Sequence, residues 1–127
     1  MFWRLLFLIP GAVCAAGLVG GFSDVDANNR NMQNALSFAI VEHNKATNDL
    51  YLNQMTELVR AQQQVVNGIK YRLTVKLAKT SCRKDNPEEH CAVFQDPPMA
   101  NAYQCTFEVV SKIWLGEMTL TKTECSH

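Results

Sequence analysis

The chain has 127 residues, 47% hydrophobic and 19% charged, with a formal net charge of zero at neutral pH. Such a length and composition suit one domain with its own core, and the chain shows no repeat, heptad run or block of like charge. The balanced charge gives no footing for a nucleic acid or an anionic membrane as partner.

Residues 1–16 differ in kind from the rest of the chain. Arg4 is their only charge, an apolar run extends from Leu5 to Val13, and the small residues Cys14, Ala15 and Ala16 close the stretch. A positive start, a short apolar run and a small-residue end make up a secretory signal peptide. The run falls short of the roughly 20 apolar residues a membrane span needs. The expected division is therefore a leader over 1–16 and a secreted domain over 17–127, with no membrane contact after cleavage. Removing the leader takes Arg4 away and leaves the acidic residues one ahead of the basic ones.

Four cysteines then remain, Cys82, Cys91, Cys105 and Cys125. An even number in a small secreted domain reads as two disulfides. Three pairings are open, and proximity along the chain favours 82–91 with 105–125. A zinc site is the alternative, but no C-x-x-C pair exists and His43, His90 and His127 are scattered. Neither a metal nor a cofactor is expected.

The segment Gly17-Leu18-Val19-Gly20-Gly21-Phe22 reads as a glycine-loosened arm whose apolar end, Leu18 and Val19, serves no local element. Helical spacing begins at about Asn29 and runs to Ala46, where Met32, Ala35, Leu36, Ala39, Ile40 and His43 recur every three or four residues. Asp26, Asn28 and Asn29 are N-cap candidates. Phe38 and Val41 widen the apolar stripe, which predicts a helix wrapped by a curved sheet, with His43 as a packing residue on its inner edge. Turn-forming residues from Asn44 to Asp49 end the helix.

Strand character is expected from about Thr56 to Val66. Gln64-Val65-Val66-Asn67-Gly68 then ends in a dipeptide that tolerates positive φ, which predicts a type I′ hairpin. Val65 and Val66 are unusual at a turn, because apolar tips left in solvent mark surfaces made for a partner. Tyr71, Leu73, Val75 and Leu77 alternate with Arg72, Thr74, Lys76 and Ala78 as in a half-buried strand. Residues 80–101 have loop composition. Tyr103, Cys105, Phe107 and Val109 alternate in a fourth strand, Met118, Leu120 and Lys122 in a fifth, and Trp114 stands in the hairpin between them. In an antiparallel meander both hairpins point to one end of the sheet, and the arm enters the first strand at that end. Three apolar elements, Leu18–Gly20, Val65–Gly68 and Trp114, therefore converge on one edge.

In order and spacing these features resemble those of type 2 cystatins, secreted inhibitors of papain-like cysteine proteases. The likeness runs from Leu18-Val19-Gly20-Gly21 through the helix, the Q-x-V-x-G match at 64–68, the four cysteines and the Trp114 hairpin. It implies an α+β fold, a five-stranded antiparallel sheet wrapped around one long helix, with two disulfides. The departure is Ile113 before Trp114, where the family usually has proline, so this loop lacks a φ restraint.

The resemblance also implies a mechanism. A protease cleft would be filled by Leu18 and Val19 in the non-primed subsites, with Gly20 turning the backbone away from the thiol. Gln64, Val65, Val66, Asn67 and Gly68 would stand over the catalytic pair, and Trp114 on the primed side. The partners so implied are cathepsins. Thr47-Asn48-Asp49 is similar to the loop by which some type 2 cystatins inhibit legumain, with Asn48 as the substrate-like residue. No nucleophile–base pair or phosphate loop suggests an enzyme. The rival reading is an extracellular binding or antimicrobial module of the same fold. The expected state is a monomer, with a dimer swapped through the 64–68 hinge as the alternative.

Overall fold

The architecture comes from a computed structural model that describes residues 21–85 and 91–126. The elements in order are β1 (Ser23–Asp24), α1 (Arg30–Ala46), β2 (Tyr51–Val66), β3 (Gly68–Arg83), the short helix α2 (Pro97–Ala100), β4 (Tyr103–Lys112), a 3-10 turn (Ile113–Leu115) and β5 (Glu117–Ser126). The strands form one antiparallel sheet in sequence order, β1-β2-β3-β4-β5.

Helix α1 begins where the side chain of Asn29 accepts a hydrogen bond from the Met32 amide at 2.9 Å. That cap satisfies one of the amides a helix start leaves unpaired. The helix ends as the Thr47 amide donates to the His43 carbonyl. Its inner face buries Met32, Ala35, Leu36, Ala39 and His43. They meet Ala61 of β2, Tyr71, Leu73, Val75 and Leu77 of β3, and Tyr103, Cys105, Phe107 and Val109 of β4. Phe38 and Ile40 pack on the edge of this core, whereas Val41, expected to widen the stripe, is 52% exposed. The buried stripe is thus narrower than the run of apolar residues suggests.

The sheet bends around the helix because β2 is irregular. Its register against β3 shifts between Tyr51 and Asn53, Met55 and Glu57, and Leu58 and Arg60, and each such irregularity bends and twists a strand. β2 also starts five residues earlier than expected. The polar residue Asn53 points inward and hides the alternation: it is buried because Asn44 of α1 accepts from its amide at 2.8 Å and donates to its carbonyl at 3.1 Å. β3 likewise continues past the expected loop boundary, with Thr80 and Cys82 buried. Thr80 pairs with Val93 as an isolated bridge, and α2 adds the buried Ala100 to the same region.

Both disulfides pair as proximity suggested, Cys82–Cys91 and Cys105–Cys125. The second joins residues directly opposite each other on β4 and β5. The fold class inferred from the sequence stands: five antiparallel strands around one long helix.

Candidate functional site

Two hairpins share the end of the sheet at which β1 begins. In the first, Val66 and Gly68 face each other across Asn67. This corrects the expected two-residue type I′ turn, which needs positive φ at both central positions. Gly68 has φ +114°, and Asn67 is not among the positive-φ residues. In the second hairpin Lys112 faces Glu117, and the four residues between them form a 3-10 turn that Gly116, at φ +65°, brings to an end. The Gly116 amide donates to the Ile113 carbonyl at 3.0 Å. The turn therefore closes without the φ restraint of a proline before Trp114.

The tips lie side by side through β3 and β4, where Ile69 is opposite Ser111 and Ser111 is opposite Met118. Gly68 lies close against the second hairpin. A Cβ built on it would stand 2.5 Å from the Ser111 carbonyl oxygen, so only glycine fits between the two backbones. Val65, Val66, Asn67, Gly68, Ile69, Ser111, Ile113 and Trp114 line an open groove of about 370 Å³ between the tips.

Few of the apolar side chains here are covered. Val65 is 73% exposed and Trp114 61% exposed, so the indole is not packed into the sheet. Ile113 and Leu115 are also largely exposed. Only Trp114 of these three was expected at the rim; the unbroken apolar triplet before a glycine was the available signal for the other two. Gln64 sits at the base of the first tip opposite Lys70. From the arm, Ser23 and Asp24 pair with Gln63 and Gln62, so the chain ahead of Ser23 heads toward Gln64 and Val65. Leu18, Val19 and Gly20, and residues 1–16 where a leader is expected, lie outside the described residues.

Asn48 occupies the opposite end, after α1 and before β2. It is exposed between two anchored neighbours. The Lys84 ammonium donates to the Thr47 carbonyl at 2.8 Å and to its hydroxyl at 2.7 Å. Asp49 accepts from Asn53 and pairs with Lys79 at 3.4 Å. Burial alone would raise the Asp49 carboxyl, but hydrogen bonds from Asn53 and Lys79 with the Lys79 and Lys84 charges outweigh it and hold the group below its usual range.

His43 is a packing residue. Its Nε2 lies 2.8 Å from the Tyr103 hydroxyl, and the ring meets Phe107 edge-on. Beside it the Cys105 and Cys125 sulfurs come near enough to suggest a metal group. They are bonded to each other, however, and offer no thiolate.

A family model described as the cystatin domain matches residues 20–114, which reach from the arm to the exposed indole. The chain belongs to the cystatin family. A cystatin of Oncorhynchus mykiss is 44% identical over 128 residues, covering 98% of each chain. Cystatin-C of Paralichthys olivaceus is 45% identical, covering 95% of this chain and 98% of that protein. Human cystatin-C is 38% identical, covering 85% and 75%. The crystal structure of dimeric human cystatin F superposes with a TM-score of 0.73 at 25% identity, covering 86% of this chain and 88% of that one. Cystatins are protease inhibitors and not enzymes, and this cystatin is accordingly a cysteine protease inhibitor.

Proposed function

We propose that the chain is a secreted, reversible, tight-binding inhibitor of papain-like cathepsins that occupies the active-site cleft with its rim and offers no cleavable bond to the thiol. The observation that carries this reading is the exposed indole of Trp114 beside the Val65–Gly68 tip, with a groove between them. Val65 and Val66 would stand over the catalytic cysteine and histidine, and Trp114 would pack on the primed side. Leu18 and Val19 would extend along the non-primed subsites, with Gly20 turning the backbone away. Hairpins already fixed in shape lose little freedom on binding, which lets an interface of roughly 1,600 Å² bind tightly. Secretion is supported by the leader-like residues 1–16 and by two disulfides, which persist in oxidising compartments.

A second reading concerns Asn48. Anchors on Thr47 and Asp49 hold the loop while Asn48 itself stays exposed. That presentation suits insertion of Asn48 into the asparagine pocket of legumain, leaving the rim free for a second enzyme. Inhibition constants against several cathepsins and legumain test both readings. Asn48→Lys is expected to abolish legumain inhibition and leave the cathepsin constants unchanged. If the parent chain inhibits no cathepsin, the first reading fails. Should Asn48→Lys leave legumain inhibition intact, the second fails.

A further inference from the structure

On the outer face of the sheet, the Phe22 ring lies under a stack that begins at a buried acid. Glu108 of β4 is the one buried carboxylate among the described residues, although the core lies on the other side of the sheet. Its Oε2 accepts from Arg72 Nε at 3.2 Å, and its Oε1 lies 3.9 Å from Lys70 Nζ. Arg72 and Glu108 are register partners on β3 and β4. The guanidinium held this way lies over the Phe22 ring, with Cζ 3.8 Å from the ring centroid. Phe22 immediately precedes β1, a strand of only two residues. Among the described residues, the other ties near the arm are a 2.9 Å bond from the Val25 amide to the Ala61 carbonyl, the packing of Val25 against the core and an exposed Arg60–Asp24 pair, all of them after Phe22.

We propose that Arg72, oriented by Glu108 and stacked on Phe22, is a positioning residue that fixes where the N-terminal arm leaves the sheet beside the first hairpin tip. A planar cation needs a fixed tilt to cover a ring face, and a buried carboxylate bonded to its Nε sets that tilt. Two strand pairs and the partly buried Val25 hold the chain from Ser23 onward, and ordering Phe22 ahead of them has a cost of its own. Holding Phe22 removes part of that cost before any protease is met, so the arm's contribution to binding becomes larger. This rests on the inhibitory reading above for its consequence, but the ordering itself is a property of the free protein.

The experiment therefore has two arms. In the first, heteronuclear NOE values for the Gly21, Phe22 and Ser23 amides are measured for the free parent chain and for Arg72→Met, Glu108→Gln, Phe22→Ala and Phe22→Trp. Order at these amides is expected to fall in the first three variants and to persist in Phe22→Trp, which keeps an aromatic face. In the second, papain inhibition is measured with each variant in the full chain and with Arg72→Met in a chain beginning at Ser23. Arg72→Met is expected to weaken inhibition about three- to tenfold in the full chain and to have no effect in the chain lacking Phe22. Equal losses with and without the arm, or NOE values unchanged in Phe22→Ala and Arg72→Met, would overturn the proposal. If Arg72→Met fails to fold, Phe22→Ala carries both readouts from an edge position. Loss of amide order in a chain that never inhibits papain would uphold the ordering and defeat only the inhibitory reading.

Discussion

Gly68 shows how tightly a single position can be constrained. Its φ of +114° excludes ordinary side chains, and the Ser111 carbonyl fills the space a Cβ would need. Because the obstacle is backbone, relief requires the two hairpins to separate. Gly68→Ala is therefore expected to lower stability by about 2 kcal/mol, read from the urea midpoint at unchanged slope, and to weaken protease inhibition as well. An unchanged midpoint would mean that the hairpins yield without cost. Trp114 is the opposite case. With its indole mostly in solvent, little of the fold depends on it.

At the scale of elements, the Cys105–Cys125 bond staples the last strand to β4 across a separation of 20 residues. β5 needs such a tie, since it forms an edge of the sheet and only Met118 and Leu120 reach the core. In a chain-entropy account a loop of that size is worth about 3 kcal/mol, so replacing both cysteines by alanine is expected to lower unfolding free energy by about that amount in urea. Two groups near the C-terminal end of α1 contribute to the pH dependence, and burial raises the Tyr71 hydroxyl of β3 as well, which adds to the alkaline limb. Burial, with the Asp49 charge behind it, pushes the Tyr103 hydroxyl from 10.0 up to about 12. A raised folded value favours the proton-bound form, so this contribution is complete below pH 10.0 and is lost as pH rises toward about 12. Asp49 works in the other direction. Its lowered folded value stabilises the carboxylate, a contribution present above the ordinary 3.8 and lost as pH falls through the folded value. Urea midpoints across pH should show both limbs, with Asp49→Asn reducing the acid one and Tyr103→Phe reducing the alkaline one, the remainder of which belongs to Tyr71. Limbs unchanged by these variants would assign the pH dependence to other groups. Much of this level was legible in the chain: strict alternation placed Tyr71 to Leu77 and Tyr103 to Val109, and apolar spacing placed α1. Asn53 and Thr80 were not legible, because each is a polar residue buried by a partner distant in sequence, Asn44 for one and the Leu52 carbonyl for the other. The turn at Asn67 departs from expectation for a related reason. Its shape is set by how β3 meets β4, which a local dipeptide does not encode.

For the whole molecule, sequence order around the sheet makes the site. A meander that runs β1-β2-β3-β4-β5 necessarily puts its β2–β3 and β4–β5 connections at one end and the α1–β2 loop at the other. The chain thus carries two exposed ends with separate chemistry: an apolar rim, and a polar loop with Asn48 between anchored neighbours. That the two hairpin tips would share one end was readable from connectivity, whereas the outer-face contact of Arg72 with Phe22 was not, since it joins residues 50 positions apart whose types carry no pattern. The central claim is that this rim enters a cysteine protease cleft. It is tested most directly by titrating papain with the purified parent chain beside Trp114→Ala and Gly20→Trp. The expected result is stoichiometric inhibition by the parent, with Trp114→Ala losing about 2 kcal/mol of affinity and Gly20→Trp at least as much. Undiminished inhibition by both variants would contradict it.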